Sequence, residues 1–169
     1  GRNSTSPHRR FHFDSPEVMN WSMTTWAPLA KSPNCASQML SVIGSAVEWK
    51  GWGDAIELFS QLEQSGRIFS IFFTGTNPGF TSKANFRFLG RVEGFRDLVR
   101  SFDLVLNPTW HESFGMAALE VLAAGVPLFS TRSGVIEQVI RDGRWLARPR
   151  DVGEMRDKLL ALESKWPAS

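Results

Sequence analysis

The chain has 169 residues, of which 42% are hydrophobic and 21% charged, and a formal net charge of +2. That length suits one domain with a sizeable core, the charge is too small to argue for nucleic acid, and no apolar run of 18 residues exists to span a membrane. The single Cys35 excludes an internal disulfide and fits a reducing, cytoplasmic setting, and no zinc-ligand spacing is present.

The chain begins at Gly1 with neither Met nor a signal-like apolar stretch, so we expect an excerpt or a processed form. Residues 1–38 are rich in Ser, Pro, Asn and His, with Arg9-Arg10 and scattered Phe11, Phe13, Trp21 and Trp26. No period survives there, and an irregular arm or linker is expected. The domain proper is expected over 39–169. Met39 to Ile43 is a first buried strand ending at Gly44, followed by a loop, Ser45 to Gly51. Trp52 to Gln64 carries a helical apolar face of Ala55, Ile56, Leu58, Phe59 and Leu62. Strands are expected at Ile68 to Thr74 and Phe86 to Leu89, a short helix at 95–101, and a strand at 102–106 closing on Asn107-Pro108. Beyond the central helix come a strand at Pro127 to Ser130, a helix at Gly134 to Arg141, a strand at Trp145 to Ala147 and a helix at Val152 to Ser164. Strands alternating with helices predict an α/β fold: a Rossmann-like, doubly wound parallel sheet of about six strands with helices on both faces. Ligands of such sheets sit beyond the carboxyl ends of the strands, near the switch point. Gly44, Gly75, Gly90 and Asn107-Pro108 are expected along that rim.

The central segment, His111 to Gly125, reads H-E-S-F-G-M-A-A-L-E-V-L-A-A-G. Ser113 is a candidate N-cap, and Gly125 with Pro127 a stop. Apolar residues on all sides predict a helix buried against other elements, with Glu120 its one internal charge. The amides of Phe114, Gly115 and Met116, next to Glu112, make a candidate anion cradle. If the segment is helical throughout, Glu112 and Glu120 stand roughly 12 Å apart along the axis. That is too far for a glycosidase pair on one bond, and suits an extended ligand held at two ends.

The string Glu112-Ser113-Phe114-Gly115-Met116-Ala117-Ala118-Leu119-Glu120, continued by Ala123-Ala124-Gly125-Val126-Pro127, Ile136-Glu137-Gln138-Val139-Ile140 and Asp142-Gly143, resembles the E-x7-E signature and motif order of retaining GT-B glycosyltransferases of the family 4 type. The resemblance covers roughly residues 39–163, the nucleotide-sugar half of a two-domain enzyme. It implies transfer of a hexose from a nucleoside diphosphate sugar, with retention, to a glycan or lipid-linked acceptor. No cofactor and no obligatory metal are implied. It also implies an acceptor-binding N-terminal domain and a closing crossover helix, which this chain lacks, so that the chain alone would bind donor and transfer little. A cytoplasmic parent, peripheral at the inner membrane face, fits the same picture.

The resemblance assigns roles to individual residues. Lys50-Gly51 matches a G-R-x4-K-G pattern, beginning at Gly44, whose Arg and Lys hold the diphosphate. Ser45 stands at the Arg position, and a hydroxyl cannot replace a guanidinium fork. Arg91, after Leu89-Gly90, is an alternative cation. Glu120 matches the carboxylate that accepts from the ribose hydroxyls, against a structural ion pair with a loop arginine. Glu112 matches the carboxylate near the transferred sugar, against a simple partner for the helix dipole. Ser113, Phe114, Gly115 and Met116 would face the diphosphate or sugar. Gly75 begins a loose match to a G-x-G-like turn, and His111 is a minor anion donor. The departure at Ser45 keeps a second reading open, a degenerate module that binds nucleotide without transfer.

Overall fold

The computed structural model describes residues 38–65, 69–81 and 83–162. The arm 1–37, Cys35 and residues 163–169 lie outside the described residues. Six strands form one all-parallel sheet: β1 Gln38–Val42, β2 Phe69–Phe73, β3 Phe86–Phe88, β4 Leu104–Asn107, β5 Leu128–Thr131 and β6 Leu146–Ala147, in the order β3-β2-β1-β4-β5-β6. Among the described residues five α-helices accompany them: α1 Trp52–Gln64, α2 Phe95–Val99, α3 Met116–Ala123, α4 Ile136–Val139 and α5 Val152–Leu162. This is the doubly wound α/β fold expected from the alternation of elements. Leu40 stands between Ile71 and Leu104 in register, and Val105 pairs with Leu128.

The strands read as near-continuous apolar runs because both faces of the sheet are covered. Alternate residues point to opposite faces. Leu40, Val42, Ile71, Phe73, Leu104 and Leu106 join Phe59 and Leu62 of α1 and Met155 and Leu159 of α5 in one core. Met39, Ile43, Phe72, Val105 and Leu128 join Leu98 of α2, Val121 of α3 and Ile136 of α4 in the other.

Several boundaries differ from those expected. β4 begins at Leu104 rather than at Phe102, because Asp103 does other work: its carboxylate accepts the Met39 amide at 2.8 Å, and its own amide donates to the Met39 carbonyl. α4 is one turn instead of two, since Gly134 is left-handed at φ +59° and Ile140 is already extended. α2 stops at Val99. The central helix α3 buries Ala118 and Val121 and packs Ala117, Leu119 and Leu122 beside them, while Met116 and Ala123 are exposed. It is not buried all round.

Both sheet edges are short, with three residues in β3 and two in β6. On β3, the Arg87 guanidinium donates to the carbonyls of Ala84 and Phe86 at 2.6 and 2.9 Å. Among the described residues no helix is long and apolar enough to cross a membrane.

α5 is capped by Asp151, whose carboxylate accepts the Glu154 amide at 2.8 Å. Glu154 in turn accepts from Lys158 at 2.8 Å and from the Arg148 amide at 2.8 Å. The Lys158 hydrogen bond first, then the Arg148 amide, lower its pKa from 4.5 to about 2. The folded value lies below the unfolded one, so this stabilisation is complete above about pH 4.5 and is lost as pH falls towards 2. Thermal melts should therefore show Glu154→Gln less stable than wild type at pH 6, with the gap closing between pH 4.5 and 2. A gap that stays constant across that window would show that the carboxylate contributes nothing through its charge.

Candidate functional site

The sheet order places β1 beside β4, with the chain winding outward from that pair in both directions. That is the switch point, where the loops leaving two neighbouring strands diverge and open a crevice. The loop after β1 turns at Gly44, left-handed at φ +106°, and forms a 3-10 turn at Glu48–Lys50. A Cβ on Gly44 would meet the Lys50 side chain at 3.3 Å, so the lysine stem lies against that glycine. Gly51 ends the turn at φ +69° and packs so closely on the loop after β4 that a Cβ would stand 2.0 Å from the Pro108 carbonyl oxygen. The K-G pair thus has a structural reason. Lysine projects at the rim, and only glycine fits behind it.

Across the crevice, the loop after β4 carries His111 and Glu112 into α3. The Lys50 ammonium and the Glu112 carboxylate form an ion pair, each side chain 20% exposed. Two residues separated by 62 positions are therefore brought together by the adjacency of β1 and β4. Half-burial makes this contact stronger than a free surface pair, while leaving both groups open to solvent from one side. Glu112 leans on the start of α3, since a Cβ on Gly115 would stand 3.2 Å from its Cγ.

The helix starts later than expected. Its N-cap is Gly115, left-handed at φ +79°, and no side chain caps it. Ser113 is an exposed loop residue with no capping bond. The first intrahelical bond runs from the Leu119 amide to the Gly115 carbonyl. The amides that point outward are therefore those of Met116, Ala117 and Ala118, in place of the set centred on Phe114 and Gly115. The reason is packing: Gly115 is buried, wedged between Glu112 and Ile136, which fixes a positive φ at that position. Glu112 lies outside the helix, so its distance from Glu120 is not set by helical rise.

Glu120 is half-buried on α3, and its side chain has no hydrogen bond or ion pair among the described residues. Among the described residues no arginine pairs with it. His111 is exposed, and its carbonyl accepts from the Thr109 hydroxyl at 3.0 Å. Trp49, Phe114 and Met116, at 51%, 52% and 59% exposure, leave apolar surface beside the ion pair.

Gly75 and Gly90 join the same rim, the Gly90 amide donating to the Gly75 carbonyl at 3.0 Å. Gly75 is also needed from below, because a Cβ there would strike the Trp52 indole at 2.8 Å. Ser45 and Arg91 are both exposed. Arg91 follows β3, two strands from β1, which sets it roughly 10 Å along the rim from the Lys50 loop. No guanidinium pairs with Glu112 among the described residues.

Two features of the site escaped sequence reasoning. Thr109 is fully buried behind the ion pair, and its only signal is a small polar residue between Pro108 and Trp110. Gly134 presses on the Glu112 loop, where a Cβ would stand 2.0 Å from the Glu112 carbonyl oxygen.

The family described as glycosyl transferases group 1 matches residues 37–165. An N-acetyl-alpha-D-glucosaminyl L-malate synthase of Bacillus anthracis is 43% identical over 77 residues, 44% of this chain and 20% of that protein. A D-inositol 3-phosphate glycosyltransferase of Mycobacterium sp. (strain KMS) is 37% identical over 78 residues, 43% of this chain and 18% of that protein. The matched stretch is thus about a fifth of these relatives' length. Among solved structures, a glycosyltransferase from Rickettsia africae ESF-5 superposes with a TM-score of 0.68 at 17% identity, covering 79% of this chain and 39% of that one. Anabaena HepE in complex with UDP-glucose gives 0.66 at 17% identity, over 77% of this chain and 40% of that one. The C-terminal domain of a group 1 glycosyl transferase from Francisella tularensis gives 0.63 at 21% identity, with 75% coverage of each. These structural likenesses show the GT-B half-fold. With the family match spanning most of its length, the chain belongs to the glycosyl transferases group 1.

Proposed function

We propose that this domain binds the nucleoside diphosphate sugar of a retaining hexosyltransferase, with the diphosphate held at the Lys50–Glu112 crevice. The observation that carries the reading is the meeting of Lys50 and Glu112 at the switch point, against the open amide end of α3. An anion arriving there finds an ammonium, the free amides of Met116, Ala117 and Ala118, and the positive end of a helix dipole. As the bond between the anomeric carbon and the diphosphate oxygen breaks, negative charge gathers on the leaving diphosphate. Preset donors at that point lower the barrier because they need not reorganise. Glu120, on the same helix and without a partner among the described residues, is the acceptor for the ribose hydroxyls. Glu112 faces the transferred sugar, and the exposed Trp49 and Phe114 give its ring an apolar surface. No cofactor or obligatory metal enters this reading. The acceptor, a glycan or a lipid-linked group, is received by a second domain, in a cytoplasmic enzyme at the inner membrane face.

Calorimetric and thermal-shift titration with UDP, GDP, ADP and their hexose conjugates tests the reading. One nucleotide should stabilise the chain by about 2.7 kcal/mol at a hundredfold excess over its dissociation constant. Lys50→Ala and Glu120→Gln should each abolish most of that shift. Titrations without any response up to millimolar nucleotide, or variants that bind like wild type, would sink the assignment. A second reading, nucleotide binding without transfer, is favoured by one observation: Ser45 is exposed, with no guanidinium supplied to the Lys50 loop among the described residues. Binding accompanied by no transfer in the full-length protein would establish it.

A further inference from the structure

Thr109 follows β4 and has no exposed surface. Its hydroxyl lies 3.1 Å from the Trp49 carbonyl and 3.0 Å from the His111 carbonyl. Those carbonyls belong to the residues immediately before Lys50 and Glu112. The Thr109 carbonyl accepts the buried Thr131 hydroxyl at the end of β5. The Trp110 amide adds a 2.7 Å bond to the same Trp49 carbonyl. One buried side chain therefore reaches the backbone on both sides of the crevice, directly behind each member of the ion pair.

A hydroxyl carries a single proton. The Thr109 proton is shared between two acceptors or alternates between them. The Trp49 carbonyl keeps the Trp110 amide when that proton is elsewhere, whereas the His111 carbonyl has no second donor among the described residues. From this geometry we propose that Thr109 is a positioning residue of the donor site. It sets the spacing of the Lys50 ammonium and the Glu112 carboxylate, and through Lys50 the grip on a nucleoside diphosphate. The inference rests on the reading of Lys50 as the diphosphate cation. Thr109 itself touches no ligand, being sealed from solvent behind the residues it orients.

The test is a binding cycle on the chain with UDP, GDP and ADP, using wild type, Thr109→Val, Thr109→Ser, Lys50→Ala and Lys50→Ala/Thr109→Val, with a melt of each variant. Valine keeps the shape and removes the proton. It should weaken the nucleotide that wild type binds by about tenfold, the scale of one hydrogen bond. Serine restores the hydroxyl and should bind within about threefold of wild type. On the Lys50→Ala background, valine should add less than about twofold, because the route from Thr109 to the ligand is already cut. A purely structural role would instead subtract the same factor on both backgrounds. Wild-type affinity in Thr109→Val, no rescue by serine, or additive losses would each overturn the inference while leaving the donor site standing. Lys50→Ala binding as tightly as wild type, or a wild type that binds none of the three nucleotides, would overturn both. If Thr109→Val does not fold, Thr109→Ala removes the same hydroxyl without a second methyl against the carbonyls, and is judged in the same way.

Discussion

Gly134→Ala is expected to destabilise this domain by about 3 kcal/mol or more and to displace Glu112 from Lys50. Two separate costs add. The backbone at Gly134 is left-handed at φ +59°, which costs a non-glycine residue roughly 1–2 kcal/mol. The new Cβ would also stand 2.0 Å from the Glu112 carbonyl oxygen, 2.9 Å from its carbon and 3.1 Å from the Ser113 oxygen. These are backbone atoms, so no rotamer change relieves the overlap. Either the Glu112 loop or the turn before α4 has to move, and both are pinned: the loop by Thr109 at its base, the helix by buried Ile136. Gly125→Ala provides the comparison. Its φ of +76° carries the same backbone cost, but nothing lies within 4 Å of its Cβ. We expect Gly125→Ala to melt a few degrees below wild type and Gly134→Ala about 10 °C or more below it. Equal losses for the two would mean that the Glu112 loop yields freely, and the close approach would have no energetic meaning.

Glu112→Gln is expected to tighten nucleoside diphosphate binding while abolishing transfer in the full-length protein. The Glu112 carboxylate holds the Lys50 ammonium in an ion pair. A diphosphate must therefore share or displace that partner, and it approaches a carboxylate at close range. Removing the negative charge frees the ammonium and removes a repulsion, and charge contacts at partly desolvated sites are worth on the order of 1.5–3 kcal/mol. An affinity gain of about tenfold follows. Transfer should move the other way, by a hundredfold or more, because the carboxylate beside the sugar is what an amide cannot replace as positive charge develops at the anomeric carbon. Lys50→Ala must lose binding and transfer together. If Glu112→Gln weakens the nucleotide as much as Lys50→Ala does, the carboxylate is a ligand contact or a structural brace, and its competition for the lysine is not real.

Much of this was legible in the sequence. The apolar face of α1 marked the helix and its approximate span, and the alternation of strand and helix stretches gave the sheet its class. Lys50 and Glu112 both stood out by local pattern. Their pairing did not, because it follows from the adjacency of β1 and β4, a fact of topology that no stretch of residues encodes alone. The start of α3 misled for a different reason. Ser113 satisfies the capping preference, but the buried contact of Gly115 with Ile136 and Glu112 overrides it. Thr109 was invisible because burial, not residue type, turns an ordinary threonine into a brace. The half-open face of α3 was likewise beyond composition, since an apolar string looks the same whether one side of it is covered or both.

The stretch Phe69–Phe73, Phe-Ser-Ile-Phe-Phe, has the uncharged, β-prone character that seeds cross-β stacking once it meets its like. In the fold it sits one strand in from an edge only three residues long. The carbonyl of Phe86, on the side of β3 facing away from β2, already accepts from the Arg87 guanidinium. A foreign strand arriving at that margin meets a positive charge and an acceptor already taken. The hazard of fibril growth is thereby moved from the surface of the native domain to its unfolding rate, and the nucleating segment reaches its neighbours only when the sheet opens.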